Sequence, residues 1–369
     1  MSMEKTVLGI IGCGVISNTY IKDIQRLYFS SLFIKAVADS DLNRAKEQAK
    51  KYGISCACSV EEILADQEIA IIINLTPPKF HTQINRMIIG AGKNLFCEKP
   101  FALTLEDAEE IREAADTKGV YAACAPDSFL GSSLRTCRKL LEDGWIGKPL
   151  YVNANMMNCG VETWHVSPFS FYGEGGGPIF DMGGYYFTAL VDFFGSAESV
   201  IAVSGKGFNP RKCYAGPHTG EDIEVEVPTF YSAILRMKNG IIVTMNFSFD
   251  IWKSSLPVFE IYGTDGTLKV PDPNMHGGVP EIYRKEQKLA ACFGGNDTGN
   301  GEMFRVPEIE QDVGEYVRGM GVSDLAEAIK SRRECKCNAR LAVHVVDIMT
   351  GIMKSADSGK EYFFTTSYD

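Results

Sequence analysis

Val7-Leu8-Gly9-Ile10-Ile11-Gly12-Cys13-Gly14-Val15-Ile16-Ser17 runs from an apolar stretch of buried-strand type straight into a glycine turn. Beyond the turn, apolar residues recur at helical spacing at Ile16, Tyr20, Ile24 and Leu27. The order of strand, turn and helix carries more weight than the glycines themselves. It brings backbone N–H groups and the positive end of a helix dipole to one point, which suits a pyrophosphate. Ser17 stands where a third glycine is usual and is small enough for helix and strand to pack closely. Gly12, Gly14, Val15 and Ile16 are thus the first expected cofactor contacts. The same glycines would also serve an ordinary tight turn, so the neighbouring segments decide between the two.

Phe33 to Ala38 reads as a second strand ending at Asp39-Ser40. An acidic residue there can bind both ribose hydroxyls of an adenosine and repel a 2′-phosphate. Asp39 could instead only help cap the helix beginning near Asp41, but Asp41 and Ser40 are adequate caps without it. NAD is therefore expected in preference to NADP, with Asp39 and Ser40 at the ribose. Ile69 to Leu75 is a near-continuous apolar run, as expected of a parallel strand covered on both faces. It ends in Thr76-Pro77-Pro78, and His81 opens the next helix, read as a helix-start or cofactor-side residue. Asn94-Leu95-Phe96-Cys97 is a further short strand, stopped by Glu98-Lys99-Pro100 because proline has no N–H to donate. This places Lys99 at the carboxyl end of a strand, where open α/β sheets hold ligands. Strand and helix alternate as far as Cys124, the pattern of a doubly wound parallel sheet over residues 1–125.

Taken together and in this order, these segments resemble the Gfo/Idh/MocA oxidoreductases. The resemblance implies that Lys99 lies beside a nicotinamide and a reacting hydroxyl. It also implies that Thr76, Pro77, Pro78, His81 and Glu98 line the dinucleotide site. A base must lose its proton first, and burial beside a positive nicotinamide ring would favour that loss from Lys99. Glu98 or Asp181 nearby would oppose it.

From about Ala125-Pro126 the alternation breaks, and residues 126–369 are assigned to an α+β domain for substrate binding and oligomerisation. Long strands are expected over 150–157, 198–204, 224–237, 240–249 and 258–263, joined as an antiparallel meander. Helices are expected over 133–142, 187–194, 322–331 and 339–355. Residues 206–217 and 271–301 read as long loops. Gly175-Gly176-Gly177-Pro178 leads into Ile179-Phe180-Asp181-Met182-Gly183-Gly184-Tyr185-Tyr186. On the residues alone Asp181 would be a helix N-cap, and Tyr185 and Tyr186 core or rim aromatics. The family resemblance makes Asp181 a site residue and puts Tyr185 where relatives carry histidine. Cys124-Ala125-Pro126-Asp127-Ser128-Phe129-Leu130-Gly131 and Arg318-Gly319-Met320-Gly321 resemble the branch of sugar and glucoside 3-dehydrogenases. Lys99, Asp181 and Tyr185 are then the expected catalytic set, with Asp181 orienting Lys99. Asp127, His165 and Tyr186 are the expected substrate contacts. His344 reads as a core histidine.

The chain has 369 residues and a net charge of -10, which argues for two domains and against nucleic acid or an anionic membrane as partner. The eleven cysteines are dispersed, and Cys56/Cys58 and Cys335/Cys337 lack the spacer of a zinc or redox motif, so no metal is expected. Met1 to Lys5 lead directly into a strand, which leaves no room for a signal peptide. A cytoplasmic protein follows, and the resemblance adds a homo-oligomer, dimer or tetramer. The expected reaction is hydride transfer between a secondary alcohol of a sugar, polyol or glycoside and NAD. The rivals are an NAD-dependent glycoside hydrolase working by transient oxidation and elimination, and a non-catalytic dinucleotide sensor.

Overall fold

The computed structural model describes residues 5–293, 301–309 and 316–368, with side chains of 290–293 left aside. The chain divides into two compact units. The first is Met1–Leu130 with Tyr316–Val346, and the second is Gly131–Glu315 with Asp347–Asp369. A single cut after Ala125 does not contain the return of Tyr316–Val346 to the first unit. That return is made by a helix, α9 (Met320–Ser331), lying near the fifth and sixth strands of the first sheet.

The first unit holds a six-stranded sheet of β1 (Thr6–Ile11), β2 (Leu32–Ala38), β3 (Cys56–Cys58), β4 (Ile71–Asn74), β5 (Asn94–Cys97) and β6 (Ala122–Cys124). Their order is β3-β2-β1-β4-β5-β6 and every pair is parallel. This is the doubly wound arrangement expected, and its direction reverses between β1 and β4. Helices α1 (Val15–Leu27), α2 (Leu42–Tyr52), α3 (Val60–Ala65), α4 (His81–Gly90) and α5 (Leu105–Lys118) make the crossovers. Burial explains the apolar runs: Ile71, Ile72 and Ile73 of β4 are all fully inaccessible. Local chemistry sets the helix ends. Asp41 caps α2, Ser59 and Glu62 form a capping box on α3, and Thr104 caps α5.

The second unit begins with α6 (Ser132–Glu142) and is built on a nine-stranded sheet. Its strands are β7 (Pro149–Met157), β8 (Ala197–Gly205), β11 (Phe230–Met237), β12 (Ile242–Ser248), β13 (Phe259–Gly263), β14 (Gly266–Lys269), β15 (Glu281–Arg284), β16 (Phe304–Arg305) and β17 (Tyr362–Phe363). Their order is β16-β15-β14-β13-β7-β12-β11-β8-β17. Seven of the eight neighbouring pairs are antiparallel, but β7 runs parallel to β12. The sheet is thus not the pure meander expected. The chain leaves β7 through a long segment and α7 (Gly184–Phe194), then returns by β8, β11 and β12 to lie beside β7. On β11, Tyr231, Leu235 and Met237 point inward and are buried, while Ile234 faces outward. Helix α7 covers the inner face, where Phe187 meets Phe247.

Three other expectations are corrected. The strand expected over 224–237 begins only at Phe230, because Pro228 cannot join a ladder; the N–H groups of Glu226 and Val227 bond instead to the Tyr172 carbonyl. The loop expected over 206–217 contains β9 (Arg211–Lys212), paired with β10 (Asp222–Ile223). The loop expected over 271–301 holds β15 and α8 (Lys285–Phe293), with 294–300 outside the described residues. Helix α10 (Ala339–Ser358) closes the chain before β17, and His344 within it is fully buried, as expected. No helix among the described residues is long and apolar enough to cross a membrane.

Candidate active site

Close approach of two turns defines the carboxyl edge of the first sheet. Gly12 has φ +102°, and a Cβ there would lie 2.6 Å from the Leu75 carbonyl carbon, so only glycine fits. Around Gly14, by contrast, added bulk would meet nothing within 4 Å. Helix α1 starts there with no side-chain cap, and Val15 is 74% exposed at its mouth. An open helix N-terminus beside a glycine cradle fits a dinucleotide pyrophosphate. Ile16 is half-buried one residue further in, while Ser17 is fully buried and accepts a hydrogen bond from Gln48 at 2.9 Å. That contact is the packing its small size permits.

Asp39 stands at the end of β2 with a side chain only 6% exposed. Its Oδ2 accepts the Cys13 N–H at 2.8 Å, and its Oδ1 accepts the Asp41 N–H at 2.9 Å. The carboxylate therefore both anchors the glycine turn and steadies the start of α2, and the exposed Ser40 follows it. Sequence reading missed Arg44, whose Nη1 lies 3.4 Å from Asp39 Oδ1. The signal was available, since the first turn of α2 carries Arg44 back toward the strand end.

The turn after β4 is held by amides. Asn74, fully buried, accepts the Thr76 N–H at 3.1 Å and its hydroxyl at 2.7 Å, and donates to Asn85 Oδ1 at 2.8 Å. Pro77 and Pro78 are exposed beyond it. An asparagine at the end of an otherwise apolar run is a signal the sequence reading passed over. His81 is only 1% exposed. Its Nδ1 lies 2.6 Å from the Pro100 carbonyl oxygen and its Nε2 2.7 Å from that of Thr76. The ring faces these two carbonyls, which corrects its expected place among groups offered to a cofactor.

Glu98 is also inside, at 7% exposure. Its Oε2 accepts the Lys99 N–H at 2.8 Å and its Oε1 accepts the Tyr20 hydroxyl at 3.0 Å. Burial, with the Glu98 charge adding to it, pushes the Tyr20 phenol well above its ordinary range. Arg318 supplies the countercharge, its Nε 3.8 Å from Glu98 Oε1 and its guanidinium stacked 4.3 Å over Tyr316. The Arg318 backbone N–H donates to Asp23 at 3.0 Å. Glu98 thus stabilises the turn from below, and Lys99 above it is half-buried.

Asp127 lies in the same unit but is 1% exposed, and its Oδ2 accepts the Gly321 N–H at 2.8 Å in the first turn of α9. A Cβ on Gly321 would fall 2.7 Å from the Phe96 ring, which explains the glycine of Arg318-Gly319-Met320-Gly321. Asp127 therefore anchors a helix N-terminus.

In the second unit, Asp181 is half-buried within a π-helical turn, Ile179–Gly183, that runs into α7. It is not the helix N-cap that the residues alone suggest; that position falls to Pro178. Such turns are uncommon and recur at functional sites. Tyr185 is 5% exposed in the first turn of α7. Tyr186, at 1% exposure, lies edge-on to Phe247 and stacks near Phe259. Burial and then Asp272 push its phenol far up, and burial likewise raises Asp272. That is a core placement for Tyr186.

His165 is half-buried, and its ring meets Trp164 and Phe171 edge-on at 5.3 and 5.0 Å. Its Nδ1 accepts the Ser167 N–H at 3.1 Å, so the ring proton sits on Nε2. Trp164 beside it is 65% exposed and was not singled out from sequence. The segment is tied down by Arg211, which donates to Glu162 at 2.7 Å, Asp250 at 2.6 Å, and the carbonyls of Cys159 and Phe249 at 2.9 and 2.8 Å.

Known proteins match this arrangement. The family described as oxidoreductase family, NAD-binding Rossmann fold, matches residues 7–125, and the GFO/IDH/MocA C-terminal domain matches 134–269. Mouse trans-1,2-dihydrobenzene-1,2-diol dehydrogenase is 29% identical over 198 residues, 53% of this chain and 59% of that protein. The bovine protein of the same name is 27% identical over 266 residues, 72% of this chain and 74% of its own. A crystal structure of levoglucosan dehydrogenase in complex with NADH superposes with a TM-score of 0.81 over 98% of this chain and all of its own, at 18% identity, a likeness of fold. With both family domains matched in order, one on the doubly wound sheet and one on the large mixed sheet, the chain belongs to the Gfo/Idh/MocA family of oxidoreductases.

Proposed function

We propose that this protein is an NAD-dependent dehydrogenase that oxidises a secondary alcohol of a sugar, polyol or glycoside. The observation that carries the reading is Lys99. It is half-buried at the carboxyl end of β5, next to the β4 turn and the reversal point of the sheet, with its backbone N–H fixed by Glu98. Bound NAD would supply the hydride acceptor. Gly12, Gly14 and the uncapped start of α1 would hold its pyrophosphate, and Asp39 its ribose. The chain's own task is then the proton: Lys99 Nζ takes it from the substrate hydroxyl and returns it in the reverse direction. Asp181, Tyr185 and His165 are the groups we assign to the substrate's hydroxyls. The names of the relatives, a dihydrodiol dehydrogenase and a levoglucosan dehydrogenase, support an alcohol on a ring. The test is NADH formation across a panel of aldoses, polyols, anhydrosugars, dihydrodiols and glycosides. Reduction of NAD with a member of that panel is expected. Cleavage of a glycoside with no net NADH would instead favour the hydrolase, and silence across the panel would overturn the assignment.

The NAD preference rests on the fixed Asp39 carboxylate, which would face a 2′-phosphate as a like charge. Arg44 at 3.4 Å offsets only part of that charge, since its own side chain is 55% exposed. Asp39→Ser is therefore expected to move the ratio of NADP to NAD use upward by roughly tenfold or more. The measurement is kcat/KM with each cofactor, and an unchanged ratio would remove Asp39 from the discrimination.

A further inference from the structure

Both ring nitrogens of His81 sit at hydrogen-bond distance from carbonyl oxygens, Nδ1 2.6 Å from Pro100 and Nε2 2.7 Å from Thr76. A carbonyl oxygen only accepts, and a neutral imidazole has a single N–H. Either neutral tautomer would press a nitrogen lone pair against an oxygen lone pair, in a site with 1% exposure to water. Such a buried mismatch costs as much as an unmade hydrogen bond. Two donors satisfy both oxygens.

We propose that His81 is a positioning residue, an imidazolium that joins the Thr76 and Pro100 carbonyls and so holds the Thr76–Pro78 turn in fixed register with the Glu98–Pro100 turn that carries Lys99. The proposal rests on the reading of Lys99 as the proton-transfer group. A buried cation needs a countercharge, and the ionisable neighbour that acts on His81 is Cys97 at the end of β5, whose Sγ also lies 3.1 Å from the Glu98 carbonyl oxygen. Cys97 Sγ accepts an N–H from Asn85 at 3.3 Å, and its partner in register on the next strand is Cys124.

Burial opposes charge on both partners, yet their mutual attraction and the surrounding donors outweigh it. His81 is raised to about 9 by Cys97 and by the two carbonyls, against the effect of burial. Cys97 is brought down to about 6 by Cys124, His81 and Asn85, again against burial. The titratable groups facing the ring are thus Cys97 on β5 and, through it, Cys124 on β6. Around them α4 and β4 contribute the neutral amides of Asn85 and Asn74. The α5 carboxylates Asp107 and Glu110 pair with the exposed Arg86 instead. Because the pKa of His81 is raised on folding, the second donor persists above the ordinary histidine range and is lost as pH rises through about 9; the stability it adds is full below that range and falls away over the same interval.

The experiment is nitrogen-15 NMR of the full chain labelled at histidine, with His81 assigned by its loss in His81→Gln. At about pH 7 both His81 ring nitrogens are expected to carry protons that exchange slowly with water. In Cys97→Ser the loss of the second proton is expected to move down by about a unit or more. A bare ring nitrogen at about pH 7 in the wild type would overturn the proposal. The second arm is NADH fluorescence titration, in which His81→Gln is expected to weaken binding roughly tenfold. Unchanged affinity in a folded His81→Gln would also overturn the positioning role. If Lys99 proved dispensable, the acid/base reading would fall while the His81 spectrum stayed as described, so the two failures are separable.

Discussion

Lys99→Ala is expected to lower turnover by about 10²–10⁴-fold while leaving NADH affinity within about threefold of wild type. The size follows from what is removed. The half-buried amine at the end of β5 is the group assigned to the hydroxyl proton, and positioned acid/base groups contribute on that scale. The selectivity follows from what remains. Glu98, Tyr20 and Arg318 hold the turn from below through contacts that do not involve the Lys99 side chain. Gly12, Gly14 and Asp39 sit on other strand ends. Single-turnover kinetics on the best substrate of the panel, with NADH binding measured alongside, is the appropriate measurement. Turnover near wild type would take Lys99 out of the mechanism, and a parallel collapse of NADH binding would reassign it to cofactor binding.

Arg211→Ala is expected to destabilise the second unit strongly. The guanidinium is 5% exposed, and its carboxylate partners Glu162 and Asp250 are 3% and 9% exposed. Tyr172 donates its hydroxyl to Glu162, and Thr229 donates to Asp250 at 2.6 Å. Removing the cation leaves two buried carboxylates without their countercharge, which costs about 3–5 kcal/mol. For a unit of this size that corresponds to a fall in its melting temperature of roughly 6–20 °C. The two units need not unfold together, so hydrogen exchange over residues 159–164 is the sharper readout. A variant with wild-type exchange there would show that the network contributes specificity without net stability. His165 and Trp164 end this segment, so the same variant should also loosen any substrate contact they make.

How much of this was legible beforehand differs between the units. Strand–turn–helix alternation, the apolar run Ile69 to Leu75 and the proline after Lys99 each act within a few residues. The parallel sheet and the positions of Gly12, Asp39, Thr76 and Lys99 could therefore be read directly. The strands of the second unit were legible as strands. Their pairing was not, because β7 and β12 lie almost a hundred residues apart in sequence and nothing local states that they run parallel. The same limit applied to polar side chains. In sequence Glu98, His81 and Asp127 look like groups that face a ligand. Each instead meets a partner inside the first unit that comes from a different stretch of chain: Tyr20 and Arg318, the Thr76 and Pro100 carbonyls, and Gly321.

The amino-acid order by itself determined the doubly wound sheet, the family and the lysine at the strand end, since short-range sterics and burial patterns suffice for those. Only the tertiary structure decided which charges are exposed. A carboxylate or imidazole looks the same in sequence whether it meets water or a buried donor, and the desolvation cost that separates the two cases depends on neighbours brought in from far along the chain.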